Sequence, residues 1–352
     1  MSSDALYFVF PGRLDTPTGG YHYDRRLMQE LRQLGLKVET VSLSSQFPFP
    51  DAQALADART RLAAVPDGAV VIIDGLAYGV LDALAEAEAN RLRIIALCHH
   101  PLALESGLDP EQQQRLKTSE QRALQAARAV VVTSAHTGAI LTTQFSISSD
   151  RIIVAQPGTD RVPFAPGDGN PLRLLTLASL TRRKAHDVLL DALAPLADLP
   201  WQARFVGSGD LDPEWTEQLH QQVKRLGLQP RIEFVGAVDG PEAEFQQADL
   251  FVLPSRYEGY GMVFAEALAA GLPVIAARAG AVPDVVPESA GLLVPPDDVE
   301  ALTAALHSLL TREDLRREFQ AGARRAASAL PDWADTARQV ADLIERVQQQ
   351  SV

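Results

Sequence analysis

The chain has 352 residues, 46% apolar and 22% charged, with a formal net charge of −13. Compact domains run to roughly 100–200 residues, so this length points to two of them, and the composition excludes a disordered chain. The acidic balance excludes nucleic acid as the main partner, because phosphate binding needs clustered Lys and Arg.

Short β-branched runs alternate with stretches of helical period along the first half. They are LYFVF (6–10), VETVSL (38–43), AVVIID (69–74), RIIALC (93–98), AVVVTS (129–134) and RIIVAQ (151–156). Between them, stretches such as 23–35 and 116–128 repeat apolar residues every three or four positions, which predicts helices over a parallel sheet. The segment 156–171 is rich in Pro, Gly and Asp and reads as a linker. The pattern then restarts with runs at 172–179, 203–209, 231–238, 248–255, 273–277 and 291–296, and a last helix is expected over 333–350. The fold class is therefore α/β, with two doubly wound Rossmann-like domains, 1–163 and 170–330. The last helix is free to pack back on the first domain. Such sheets bind ligands at the C-terminal ends of their strands.

The charge is unevenly spread: residues 1–165 carry 15 Lys+Arg against 18 Asp+Glu, and the remainder carries 17 against 27. An anionic partner therefore suits the first half better. The single cysteine, Cys98, excludes an intrachain disulfide or a Cys-based zinc site, and reads as a core residue in a reducing compartment. The N-terminal stretch has an acidic residue where a secretory signal needs positive charge, and no run is long enough to span a bilayer. A cytoplasmic protein, at most peripheral at a membrane, is the expectation.

The chemistry concentrates in SRYEGYGMVFAEALAAG (255–271). Gly259 and Gly261 allow a tight turn and a close backbone approach, and a helix follows whose free N–H groups suit a diphosphate. Glu266, a turn inside that helix, would be repelled by phosphate and is better placed to accept from hydroxyls, as on a ribose. Glu258, before the turn, could hold hydroxyls of a second sugar. Taken alone, the pair equally fits a solvated helix-face acid and a loop charge. SLTRRKAHD (179–187) follows another strand, and its Lys184, one of four lysines in the chain, could meet the growing charge of a leaving group. Asp210 and Asp212 form a D-x-D pattern better read as a polar loop and helix cap than as a metal site. No metal and no cofactor are expected.

PSRYEGYGMVFAEALAAGLPVIA resembles the E-x7-E signature of the retaining GT-B glycosyltransferases of family 4. TPTGGYHYDRRLMQELRQLGLKVETV, VGSGD, IEFVGAV, AGAVPDVVPESAGLLVPPDDVEAL and the Trp333 helix sit where that family has its other motifs. The resemblance implies two domains facing a cleft and a nucleotide-diphosphate sugar as donor, with UDP, GDP and ADP all open. It implies that Glu266 binds the nucleotide ribose and Glu258 the transferred sugar. Gly259, Tyr260, Gly261, Met262 and Val263 would lie near sugar and diphosphate, with Val238 on the nucleobase. Gly19 and Gly20 of the first domain, and Gly207 of the second, would close on the donor. Lys184 and Arg183 would stabilise the diphosphate; the family's usual arginine is replaced here by Ser179, leaving Arg182 or Arg183 to take that arginine's place, and its usual glycine is replaced by Ala185. One of His99 and His100 would contact the transferred sugar.

The implied reaction is hexosyl transfer with retention, by a front-face route in which a donor phosphate oxygen helps deprotonate the incoming hydroxyl. Two rivals are a sugar-nucleotide epimerase or hydrolase of the same fold and a non-catalytic sugar-nucleotide-binding protein. A dehydrogenase would need a G-x-G-x-x-G after the first strand, and PGRLDTPTGGY lacks it. The acceptor, a small molecule, lipid or glycan, is not coded in any motif. Arg25 and Arg26 are either candidates for an acidic acceptor or solvated helix-surface residues.

Overall fold

The computed structural model describes residues 5–105 and 107–349. Its contacts separate two units, one made of residues up to 158 together with those from 331 onward, the other of residues 159–330. The Pro- and Gly-rich stretch 156–171 contains no regular element.

In the first unit, β1 (Ala5–Pro11), β2 (Lys37–Leu43), β3 (Val70–Asp74), β4 (Arg93–Cys98), β5 (Ala129–Val132) and β6 (Ile152–Val154) form one sheet in the order β2-β1-β3-β4-β5-β6. Every pairing is parallel. A parallel sheet is covered on both faces, which is why β3 can be wholly apolar up to its last residue, Asp74, and wholly buried. The helix Gly19–Gln33 starts at Thr18, whose hydroxyl accepts from the Tyr21 N–H, and buries Tyr23, Leu27, Met28 and Leu31 along one stripe. With them it buries Asp24, an acid on the apolar stripe. The expected 116–128 helix starts earlier, at Pro110, because Asp109 and Gln112 form a reciprocal capping box ahead of it.

The last helix, Trp333–Gln349, belongs to this first unit, and Gln350 lies outside the described residues. The Trp333 ring lies 5.7 Å from that of Tyr23 and 5.8 Å from that of His22, and the Thr336 hydroxyl donates to the Gln156 carbonyl at 2.6 Å. The chain passes so closely that a Cβ on Gly158 would sit 2.3 Å from the Trp333 nitrogen.

The second unit repeats the plan with β7 (Leu172–Leu177), β8 (Trp201–Val206), β9 (Ile232–Gly236), β10 (Leu250–Leu253), β11 (Val274–Ala277) and β12 (Gly291–Val294). They are parallel throughout, in the order β12-β11-β10-β7-β8-β9. Alternate residues of β10 serve opposite faces: Leu250 and Val252 join one apolar cluster, Phe251 and Leu253 the other. All twelve expected strands thus form. In each sheet the winding reverses at one point, between β1 and β3 in the first and between β7 and β10 in the second. That is where an open α/β sheet leaves a crevice beyond its strand ends. Among the described residues no helix is long and apolar enough to cross a membrane.

Because the Gly158 position abuts backbone rather than a movable side chain, Gly158→Ala is expected to cost about 1–3 kcal/mol by overpacking. Thermal denaturation should show a lower midpoint, and limited proteolysis should cut near residue 331 earlier than in the wild type.

Candidate active site

The reversal point of the second sheet carries a dense ion cluster. After β7 the chain runs through Ser179 to the turn Arg182–Lys184, and after β10 it runs through Ser255 to Glu258. Glu258 is buried, and the Lys184 ammonium donates to its Oε1 at 2.6 Å while the Arg183 guanidinium reaches its Oε2 at 3.3 Å. The same Arg183 nitrogen donates to the Tyr257 carbonyl at 3.0 Å. Burial pushes the Glu258 carboxyl up, but Lys184 and then Arg183 outweigh it and hold it at about 2. Of the two arginines weighed as substitutes, Arg183 joins this cluster. Arg182 turns away, lying 4.5 Å above the Trp215 ring and 3.6 Å from Asp212.

Arg256 ties the two loops together. Its N–H donates to the Arg183 carbonyl at 2.8 Å, and its guanidinium pairs with Asp187 at 2.8 Å and Asp297 at 2.7 Å. On the other side, Ala281 N–H donates to the Glu258 carbonyl at 2.9 Å, and a Cβ on Gly280 would lie 2.1 Å from that oxygen. The AGAVPDVV segment therefore braces the glutamate from behind.

Gly261 takes φ +85° and starts the helix Met262–Ala269 without a side-chain cap. The Phe264 N–H closes back on the Gly261 carbonyl at 2.9 Å, so it is not one of the free N–H groups this helix start can offer. The Tyr260 side chain is buried in the apolar cluster, where burial pushes its hydroxyl up to about 12, so this residue can offer a ligand only its backbone. Met262, Val263 and Val238 are half-buried against the same cluster. Glu266 keeps an exposed edge, and burial, then the carboxylates of Glu242 and Asp160, push it up to about 7. Gly207 lets two loops approach: a Cβ there would meet the Ala178 carbonyl oxygen at 2.0 Å. Asp212 caps the helix Pro213–Arg225 by accepting from the Trp215 N–H, and Asp210 accepts from the Ser208 hydroxyl.

In the first unit, Gly19 and Gly20 open the helix after β1, and Gly20 lies against His99: a Cβ would be 3.3 Å from the ring. His99 Nε2 is 3.1 Å from Asp24 Oδ1 and 3.4 Å from Asp74 Oδ2, with both carboxylates buried. Burial pushes His99 down, but the two acids outweigh it and hold it at about 10. His100 instead pairs with Glu105 at 3.0 Å. Arg25 is drawn onto the Leu14 carbonyl, and Arg26 lies 5.0 Å from the centre of the Trp333 ring. Asp24 and Asp74 escape motif reading; the available signals are an acid on the apolar stripe of a helix and one ending an apolar strand. Among the described residues, these two and His99 are the group with ligand atoms close enough, within 4.8 Å, to share a metal ion.

This arrangement, two doubly wound sheets each with charged loops at its reversal point, is the GT-B architecture. Residues 171–312 match the family described as glycosyl transferases group 1, and this segment belongs to that family. A D-inositol 3-phosphate glycosyltransferase of Saccharomonospora viridis is 32% identical over 262 residues, 68% of this chain and 60% of that protein. The chain thus spans about three fifths of the length of these curated relatives. Among solved structures, sucrose-phosphate synthase from Thermosynechococcus elongatus aligns with a TM-score of 0.81 at 22% identity, covering 97% of this chain and 99% of that one. Anabaena HepE in complex with UDP and glucose aligns at 0.75 and 21% identity, covering 97% and 99%.

The Glu258 cluster makes acid stability testable. Between its ordinary 4.5 and its folded value of about 2 the unfolded chain binds the extra proton. The stabilisation is therefore present above 4.5 and is lost as the pH falls towards 2, amounting to about 3 kcal/mol at roughly 1.4 kcal/mol per unit. Urea denaturation from about pH 5 to about pH 3 should show a steeper loss for the wild type than for Glu258→Gln. Equal slopes would mean that the cluster does not hold the carboxylate ionised.

Proposed function

We propose that the chain is a glycosyltransferase that moves a hexosyl group from a nucleotide-diphosphate sugar to an acceptor hydroxyl, retaining the anomeric configuration. The observation that carries this reading is the convergence of Lys184, Arg183 and Glu258 at the reversal point of the second sheet, beside the Gly261 turn. Lys184 and Arg183 are the cations a departing diphosphate requires, and Glu258, fixed as a carboxylate between them, can accept from hydroxyls of the transferred sugar. Glu266, a turn into the helix, suits the ribose, and Val238 the nucleobase. The bond from the anomeric carbon to the diphosphate oxygen breaks, and a bond to the acceptor oxygen forms on the same face. The acceptor proton passes to the departing phosphate, and a nucleoside diphosphate leaves. The residues position and stabilise; none needs to act as a covalent nucleophile.

Support for a UDP-sugar comes from HepE, whose structure holds UDP and glucose, and support for sugar transfer from the inositol-phosphate relative. Thermal-shift measurement against UDP-, GDP- and ADP-sugars should reveal one nucleotide whose sugar raises the melting temperature progressively, with the logarithm of its concentration once the site is saturated. With that donor, Lys184→Ala is expected to lose on the order of 100- to 1000-fold in turnover, the loss seen when one oxyanion-stabilising donor is removed. Unchanged turnover in Lys184→Ala would sink the catalytic assignment. Epimerised or free sugar appearing without an acceptor would favour an epimerase or hydrolase instead.

A further inference from the structure

Three side chains from separate elements converge at the reversal point of the first sheet: Asp24 on the buried stripe of the helix Gly19–Gln33, Asp74 at the end of β3, and His99 just after β4. The imidazole Nε2 lies 3.1 Å from Asp24 Oδ1 and 3.4 Å from Asp74 Oδ2, and the three ligand atoms all fall within 4.8 Å of one another. A divalent transition ion binds imidazole nitrogen and carboxylate oxygen at about 2.0–2.2 Å, so neighbouring ligands around one ion stand roughly 3–3.5 Å apart. The two spacings to Nε2 already match. The group is also held in place: Asp74 Oδ1 accepts the Leu76 N–H at 2.9 Å, Tyr23 meets the imidazole edge-on at 5.2 Å, and Gly20 lies against its Cδ2 edge. A separate sign comes from Asp24 Oδ2, which is buried without a hydrogen-bond partner among the described residues. A bare buried carboxylate oxygen is costly, and an ion gripped through both Asp24 oxygens would engage it.

We propose that Asp24, Asp74 and His99 bind one divalent first-row transition ion, Zn²⁺ or Mn²⁺. The charges close, since two carboxylates balance the ion and the imidazole ligates in its neutral form. On binding, the lone pair of Nε2 goes to the ion and any proton it carried passes to solvent. Two carboxylates and an imidazole, with no thiolate, suit Zn²⁺ and Mn²⁺ and do not suit Cu(I) or an iron–sulfur cluster. Three protein ligands leave a position for water or for an oxygen of a bound molecule, the pattern of a reactive rather than a structural zinc site. His99 gives the ion a way in, because its side chain is 21% exposed while those of Asp24 and Asp74 are 0% and 2% exposed. Arg25, next to Asp24 in the helix, donates to the Leu14 carbonyl instead of closing an ion pair with that acid. A diphosphate held by Lys184 and Arg183 needs no metal, but this group belongs to the other unit, and its ion binding does not rest on the glycosyltransferase reading.

Calorimetric titration of Zn²⁺ into the chelator-treated full chain, with no nucleotide sugar present, tests the site whether or not the glycosyltransferase reading survives. One ion should bind per chain, and Co²⁺ in its place should give the visible absorption of an ion ligated by nitrogen and oxygen. His99→Gln and Asp74→Asn should each weaken Zn²⁺ binding by about 100-fold or more and remove the Co²⁺ absorption, exceeding the roughly 10- to 100-fold lost when only an outer hydrogen-bonding partner is removed. Asp74→Asn keeps an oxygen for the Leu76 N–H, so its fold should survive. His307→Gln, at an exposed histidine elsewhere on the chain, should bind as the wild type does. No saturable binding, binding undiminished in His99→Gln and Asp74→Asn, or an equal loss in His307→Gln would overturn the site. If one of the two variants fails to fold by circular dichroism, the other decides. Tighter binding of Mg²⁺ than of Zn²⁺ and Mn²⁺ would overturn the choice of ion.

Discussion

A carboxylate buried in the loop beyond a parallel strand needs cations or hydrogen-bond donors beside it, and the Glu258 pairing with Lys184 and Arg183 meets that condition. The acid and its cations are more than seventy residues apart in the chain, and they meet because β7 and β10 are neighbours at the point where the strand order reverses. The winding of the sheet thus decides which loops can exchange charge. Arg256 and the 280–281 backbone then leave the cluster little freedom, one gripping the cation loop and the other the carbonyl behind the acid. Rigidity of this kind is what a site needs if it is to favour charge that appears only as a bond breaks.

The strands were legible because buried parallel strands are continuous β-branched runs, and the Gly261 turn because a left-handed residue at a helix start calls for glycine. Glu258 and Lys184 were legible as types in a motif. Their direct pairing was not, since contact between two loops depends on strand order rather than on local pattern. The same limit hid the partition between Arg182 and Arg183. These neighbours are equivalent on paper, and they part because Trp215 and Asp212 lie on one side of the turn and Glu258 on the other. Helical periodicity counts apolar residues and discounts an acid among them, so it gives Asp24 no weight.

Several glycines that read as ligand contacts have work inside the protein. Gly20 leaves room for the His99 ring, and Gly207 for the Ala178 carbonyl. Ala185 shows the reverse case. It sits at φ +55°, fully buried, where glycine would be free of the roughly 1–2 kcal/mol that a side chain costs in the left-handed region. Its methyl group joins the apolar cluster beneath the cation turn, which offsets part of that strain.

The helix Trp333–Gln349 packs on a unit whose other helices and strands all precede position 159, so the first unit is interrupted in sequence by the whole of the second. During synthesis the second unit emerges as one contiguous segment and can complete itself at once. The first cannot: the faces of Tyr23 and His22 that receive Trp333 stay uncovered until the ribosome has passed residue 333. The half of the molecule that is translated first is therefore the half that is finished last.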